Sequence, residues 1–287
     1  MLKKEIFFGL IVSITLMAGF NIFLVNQNIF HQFSLNQEET HAILIRKSEW
    51  NENWTQLENI GDNLYNLAAN ETSDTSMDTA KSTWDLESWN RGSGGLDDED
   101  RKTLYSVFRN VSSVFEYGLG ESTYIAAAVG LSRYAGVDSD AVWVSQARDR
   151  VHSVYSRLHF RFHFLDIGRT REWGYPVSDL NKNLFDYQIA PLIMERQPFD
   201  FYYVDGRYRV ACAGVCFLHA MKYKADMSSV IVGIHDNDQG RGYDIMSKIA
   251  DIILQEKRLW LYKLKKETTE KDLYDMWIWE ILSCSSN

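Results

Sequence analysis

Short apolar runs alternate with longer segments of helical periodicity from Asp98 to Lys263. The helices predicted from this pattern are Asp98 to Arg109, Ser122 to Leu131, Ala141 to Leu158, Phe185 to Arg196, Arg209 to Lys222 and Gly242 to Ile253. The strands predicted between them are Ser112 to Glu116, Arg133 to Val137, Phe160 to Leu165, Phe199 to Val204, Ser229 to Ile234 and Leu259 to Lys263. Because such alternation implies crossover connections, the pattern predicts a doubly wound α/β domain with a mostly parallel sheet.

The amino-terminal segment has a different pattern. Ile6 to Val25 carry no charged residue, and this run is long enough to cross a hydrocarbon core of about 30 Å. Lys3 and Lys4 precede it, so the rule that positive residues stay inside places the amino terminus in the cytosol. The expected order is a cytosolic tail (1–5), a transmembrane signal anchor (6–25), a luminal stem (26–95), a compact domain (96–266) and a C-terminal helix or tail (267–287). A cleaved signal peptide on a secreted protein is the alternative interpretation.

Three N-x-S/T sequons are consistent with a location in the secretory lumen, and they begin at Asn53, Asn70 and Asn110. The formal net charge is −9 and the isoelectric point is near 5.3. A nucleic-acid-binding surface would need a clustered basic excess, so nucleic acid is not expected as a partner.

The segment Val114 to Thr123 reads V-F-E-Y-G-L-G-E-S-T, which predicts a strand, a tight turn and a helix start. Gly118 and Gly120 can take backbone angles closed to other residues, and the free N–H groups of a helix start attract polar or anionic ligands. The pattern therefore favours a nucleotide-like ligand at this turn. An ordinary turn with two glycines is the alternative.

Ionisable residues recur at the ends of the predicted strands: Glu116, Asp138, Asp166, Asp205, His235 and Asp236. In an open α/β sheet, ligands bind outside the carboxyl ends of the strands. Capping and turn formation explain one such residue easily, but a whole series beside a glycine turn indicates a binding edge.

Taken together, these motifs resemble class I S-adenosylmethionine-dependent methyltransferases. Glu116 to Ser122 is similar to that family's E/D-x-G-x-G-x-S pattern, and Val204 to Cys212 (V-D-G-R-x-R-V-A-C) resembles the fourth-strand segment of one of its branches. The resemblance implies S-adenosylmethionine as the cofactor. The cofactor-binding residues that it implies are Glu116, Gly118, Gly120, Ser122, Asp138 at the ribose, Asp166 beside the adenine, and Asp205. A dehydrogenase is the weaker alternative, because Thr123 stands where a nicotinamide fingerprint has its third glycine.

The expected catalytic residues are His235, Asp236 and Asp205. If the acceptor is an alcohol, His235 is the expected base, with Asp236 or Asp205 orienting it. A strand-end histidine bonded to a backbone carbonyl is the alternative. Asp205, Asp236 and Asn237 also resemble the Asp/Asp-Asn arrangement of catechol-type methyltransferases, which would imply a divalent cation such as Mg²⁺ or Mn²⁺.

The acceptor site is expected in the insert 168–183, where Trp173 and Tyr175 offer flat faces to a sugar or another polyol, although an aromatic-anchored loop is equally consistent. Arg207 and Arg209 would bind an anionic substrate or pair with Asp205. With the predicted topology, these features favour an O-methyltransferase acting on a glycan in the Golgi or another secretory compartment. The competing interpretation is a non-catalytic, membrane-tethered binding domain with the same fold.

Overall fold

The computed structural model describes residues 95–154, 160–171, 177, 184–223, 225–237 and 243–284. All of them belong to one compact unit. Within these ranges no helix is both long enough and apolar enough to cross a membrane. The predicted span Ile6 to Val25, the stem, and the sequons at Asn53 and Asn70 lie outside the described residues.

A seven-stranded sheet forms the centre of the domain, in the order β3-β2-β1-β4-β5-β7-β6. The strands are β1 (Ser113–Tyr117), β2 (Arg133–Asp138), β3 (Arg161–Phe164), β4 (Phe201–Val204), β5 (Ile231–Ile234), β6 (Ala250–Glu256) and β7 (Leu259–Leu264). Strands β1 to β5 pair in parallel, and β7 pairs antiparallel with both β5 and β6. The mostly parallel sheet predicted from the alternation is confirmed.

Helices cover both faces of the sheet. They are α1 (Asp98–Arg109), α2 (Glu121–Val129), α3 (Ala141–Val154), α4 (Leu184–Gln188), α5 (Ala190–Met194), α6 (Arg209–Lys222) and α7 (Glu270–Cys284). Successive residues of β1 point to opposite sides: Val114 packs into the core with α1, α2 and α3, whereas Phe115 packs into the core with α6 and α7. Two hydrophobic cores therefore hold the sheet between its helices, as the doubly wound prediction requires.

The helix predicted over Gly242 to Ile253 is wrong. A 3₁₀ helix spans Tyr243–Lys248, and strand β6 follows from Ala250 to Glu256. Ile252 and Ile253 are β-branched and favour a strand, and a turn with Lys257 at a φ of 33° leads directly into the antiparallel partner β7. β6 is one of the two edge strands of the sheet, and its apolar residues Ile252, Ile253 and Leu254 are exposed.

The helix predicted over Phe185 to Arg196 is broken into α4 and α5. Pro191 stands in the first turn of α5, where its missing N–H costs nothing, but the same residue could not continue α4. The predicted C-terminal helix or tail is helix α7, and its residues Leu273 and Met276 are buried in the core that contains α6. The carboxyl-terminal segment thus packs as part of the domain.

Candidate active site

The turn after β1 and the turn after β4 are in direct backbone contact. Gly118 has a φ of +83°, and a Cβ on it would lie 2.7 Å from the backbone of Asp205 and 2.8 Å from Cα of Gly206. A Cβ on Gly206 would in turn overlap the Tyr187 hydroxyl and lie 3.1 Å from the Gly118 nitrogen. Gly120 is different, because its backbone is extended and a Cβ there would meet nothing within 4 Å. Gly118 is therefore required by packing as well as by backbone angle.

Glu116 and Ser122 lie beneath this turn, with both side chains buried. The Glu116 carboxylate accepts hydrogen bonds from the hydroxyls of Ser122, Thr123 and Tyr134. Burial raises the pKa of Glu116 to about 8, although these three hydroxyls lower it. These contacts hold the turn from below, and the cofactor contact of Glu116 and Ser122 stays a prediction.

Asp138 ends β2 beside the turn, and both of its carboxylate oxygens accept main-chain hydrogen bonds. Oδ2 accepts from Leu119 N and Oδ1 from Asp140 N, each at 2.9 Å. Burial raises the pKa of Asp138. One strand further on, Asp166 is exposed and accepts a hydrogen bond from Gly168 N at 2.7 Å. The glycine turn, Asp138 and Asp166 therefore follow one another along the carboxyl edge of β1, β2 and β3.

A second group of charged residues lies at the carboxyl ends of β4 and β5. His235 is buried, and its two ring nitrogens face carboxylates: Nδ1 is 3.1 Å from Asp205 Oδ1 and Nε2 is 3.2 Å from Asp100 Oδ2. Burial alone would lower the pKa of His235, but the hydrogen bonds with Asp100 and Asp205 raise it to about 9.

The surroundings of His235 favour a structural role. Both ring nitrogens already face carboxylates, and the side chain is only 3% exposed. In this arrangement His235 links helix α1 to the ends of β4 and β5. Its role as the base stays a prediction.

Two arginines complete the group. Arg209 Nη2 is 3.1 Å from Asp205 Oδ1 and 2.8 Å from Asp236 Oδ2. Arg258 Nη1 is 2.8 Å from Asp236 Oδ1. Burial would raise the pKa of Asp236, but the charges of Arg209 and His235 hold it below its ordinary value. We call Asp100, Asp205, His235, Asp236, Arg209 and Arg258 the charged cluster.

Asp100 and Arg258 were not predicted as site residues. Asp100 is separated from His235 by 135 residues and lies inside a helix whose other acidic residues, Asp98 and Glu99, suggest only favourable charges at a helix start. Arg258 lies in the turn between β6 and β7, outside every predicted helix and strand. Its position after an apolar strand gave no signal of a partner at the end of β5.

The backbone beside the charged cluster is strained at two non-glycine residues. Tyr208, which precedes helix α6, and Asp236, which follows β5, both have a φ of 52°. Such angles cost of order 1 kcal/mol each and occur often at functional sites. They occur here on the two turns that carry the predicted catalytic carboxylates.

The remaining predicted residues are not members of the charged cluster. Asn237 is buried, and its amide nitrogen donates to the Tyr262 hydroxyl on β7 at 2.5 Å. Arg207 is half-buried on the turn after β4. Trp173 and Tyr175 lie outside the described residues. The sequon residue Asn110 is exposed after helix α1, and its amide donates to the Ser106 carbonyl at 2.7 Å.

Comparison with known proteins adds to this picture at the level of fold. No family model and no curated protein matches the sequence. Among solved structures, a methyltransferase-like protein from Silicibacter pomeroyi DSS-3 is similar, with 24% identity, a TM-score of 0.52, and 63% of this chain and 92% of that chain covered. An SAH-bound methyltransferase from Podospora anserina, PaMTH1, is more distant. It has 11% identity and a TM-score of 0.40, and the match covers 58% of this chain and 77% of that chain. The domain therefore has a methyltransferase-like fold, and this similarity shows the fold alone.

Proposed function

We propose that the domain is an S-adenosylmethionine-dependent methyltransferase. The observation that carries this proposal is the glycine turn after β1 with Asp138 and Asp166 on the next two strand ends, in a sheet ordered 3-2-1-4-5-7-6. A dinucleotide-dependent dehydrogenase has less support, because that fold has six parallel strands in the order 3-2-1-4-5-6. In addition, Thr123 is buried under the turn and its hydroxyl donates to Glu116 at 3.0 Å, so a glycine there would remove a contact.

The edge residues fit an adenosine-containing cofactor. The Asp138 carboxylate accepts main-chain hydrogen bonds from Leu119 and Asp140, and a carboxylate has about four acceptor positions, so it can also accept from the ribose. Asp166 is exposed at the end of β3, and we assign it to accept a hydrogen bond from the adenine amino group. When bound, the cofactor supplies a methyl group on a sulfonium, which is a good leaving group. The protein's task is then mainly to align the acceptor.

Asp205 is the residue of the charged cluster best suited to meet an acceptor hydroxyl. Its side chain is 24% exposed, and Oδ1 is held by His235 and Arg209. Oδ2 has the Tyr203 hydroxyl at 3.4 Å, a weak contact that leaves an acceptor position for a substrate. Both oxygens of Asp236, by contrast, are bonded to arginines. We therefore assign Asp205 to orient the acceptor and take its proton.

The acceptor class and location are a finer part of the proposal: O-methylation of a glycan hydroxyl in the secretory lumen. The uncharged run from Ile6 to Val25 and the sequons support the location. Asp205 and Arg207 on one turn would give a polyol both an acceptor and a donor.

Cofactor binding is tested by calorimetric titration of S-adenosylmethionine into full-length protein and into Asp138→Asn. Loss of one charged oxygen from the ribose should weaken binding about 10- to 100-fold, as expected for a hydrogen bond to a charged group. Asp140→Asn is the matched control, because Asp140 caps helix α3 through Val142 N and asparagine is an equally good cap. Wild-type protein without measurable affinity would refute the cofactor assignment.

A non-catalytic binding domain is the second candidate. It is favoured by one observation, the pairing of every carboxylate of the charged cluster with a cation. Turnover distinguishes the two: an enzyme converts the cofactor to S-adenosylhomocysteine in the presence of a glycan acceptor, and Asp205→Asn should slow this by about 10² to 10⁴ at saturating cofactor. Cofactor binding without turnover on any glycan tested would favour the second candidate.

A further inference from the structure

The catechol-type arrangement that Asp205, Asp236 and Asn237 resemble would hold a divalent cation between the ends of β4 and β5. In this structure a side chain lies between the two carboxylates. A single nitrogen, Arg209 Nη2, is 3.1 Å from Asp205 Oδ1 and 2.8 Å from Asp236 Oδ2. Each distance is that of a charge-assisted hydrogen bond.

Arg209 is held in this place from several directions. Its Nε donates to the Gly206 carbonyl at 3.0 Å, and its Nη1 donates to the His235 carbonyl. The side chain is 7% exposed. The guanidinium therefore bonds the main chain at the ends of both strands as well as both carboxylates, and such a fork is fixed by geometry that a lysine could not reproduce.

The donor set does not fit a metal ion. The ligand atoms of Asp205, His235 and Asp236 lie within 4.8 Å of one another, as a metal site would need. However, Mg²⁺ requires oxygen ligands at about 2.0 to 2.1 Å in an octahedron, and it would stand beside the Arg209 guanidinium and a histidine already bonded to two carboxylates. Repulsion between these charges would oppose its binding.

Both carboxylates of the pair also contact cations without a metal. Asp205 contacts Arg209, and Asp236 contacts Arg209 and Arg258. A divalent ion would enter beside these two guanidinium groups, and a partly buried excess of positive charge there would be unfavourable.

We infer that Arg209 takes the position of a divalent cation at this strand edge, so that the site uses a built-in guanidinium in place of a metal. The functional role of Arg209 rests on the proposed function. In a methyltransferase, the guanidinium would fix Asp205 beside the methyl group and the acceptor. The claim about the cation position itself concerns only the residues of the charged cluster.

The experiment is a titration of full-length protein with Mn²⁺, followed by electron paramagnetic resonance of the free ion, with no cofactor present. Wild-type protein should show no saturable binding up to millimolar Mn²⁺. Arg209→Met, which keeps the length of the side chain and removes the charge, should gain one site, and that site should be lost in Arg209→Met with Asp236→Asn. Arg161→Met, which removes an arginine paired with Glu195 instead of with Asp205 or Asp236, is the control and should bind no Mn²⁺.

One Mn²⁺ bound by wild-type protein and lost in Asp236→Asn would overturn the inference. So would a folded Arg209→Met that binds none, because the place would then not be a cation position. If Arg209→Met does not fold by circular dichroism, the wild-type titration alone decides. Failure of the proposed function appears elsewhere, as missing cofactor affinity in calorimetry, and does not alter the Mn²⁺ result.

Discussion

Two glycines hold the turns after β1 and β4 in backbone contact, and a third glycine nearby does not. We predict that Gly206→Ala and Gly118→Ala destabilise the protein by about 2 kcal/mol or more, because each added methyl group overlaps neighbouring atoms and Gly118 also has a positive φ. Gly120→Ala should change stability by less than about 0.5 kcal/mol, since its Cβ would meet nothing. Thermal unfolding of the three variants measures the difference. Equal losses in all three would contradict the packing described here.

Glu116 makes stability depend on pH. Its pKa is about 8 in the folded protein, above the ordinary value of 4.5, because it is buried. A group with a raised folded pKa contributes stability that is complete below its unfolded pKa and is lost as the pH rises through the folded value. Relative to Glu116→Gln, which does not titrate, wild-type protein should therefore lose about 4 kcal/mol between pH 4.5 and pH 8.

Chemical denaturation of wild type and Glu116→Gln across this pH range checks the prediction. The comparison cancels His235, whose own pKa is raised to about 9 in both proteins. A constant difference between the two proteins at all pH values would show that Glu116 is ionised when folded.

At the scale of elements, the sequence predicted helices well where pattern and boundary signals agreed. Helix α1 and helix α6 begin and end where the periodicity indicated. The helix prediction for Gly242 to Ile253 failed because the apolar positions of this segment fit both a helix and a strand. The strand is selected by pairing with β7, which follows later in the chain. Local pattern does not contain that information.

Helix α7 is expected to be essential to the domain. Leu273 is completely buried against the core of α6, and Trp277 Nε1 donates to Gln188 Oε1 at 2.7 Å. Leu273→Ala should therefore lower the free energy of unfolding by about 2 to 5 kcal/mol through loss of buried apolar contacts. Lys271→Ala on the exposed face should leave it nearly unchanged, because an exposed pair with Asp275 contributes little. Denaturant unfolding of both variants provides the test, and equal effects would place α7 outside the core.

At the scale of the whole molecule, topology decides the acceptor class. If the domain is luminal, the protein should carry N-glycans, shift in mobility after glycosidase treatment, and resist protease in sealed microsomes. Asn110→Gln should remove one glycan, since Asn110 is exposed beyond the end of helix α1. A domain cleaved by protease without detergent would be cytosolic, and the glycan proposal would then be abandoned while the cofactor assignment could stand.

The sequence predicted which residues share one edge of the sheet, because glycine turns and strand-end carboxylates have local signatures. It did not predict which of these side chains face a ligand. Glu116 and His235 have the right residue types in the right places, but hydroxyls from α2 and β2 enclose the first and carboxylates from α1 and β4 enclose the second. Burial of this kind depends on elements that are distant in sequence, and only the folded chain shows it.

The contacts of Arg258 affect where a recombinant fragment of the protein should begin. One of its nitrogens donates to the Gly95 carbonyl at 2.8 Å, another lies 3.1 Å from Asp97, and a third holds Asp236. Arg258 therefore connects Gly95 and Asp97, which precede helix α1, to the end of β5. A recombinant fragment that starts at Leu96 or later, or an affinity tag fused there, would remove a contact of Arg258 and loosen Asp236 at the same time, so an inactive short fragment would say little about the intact protein.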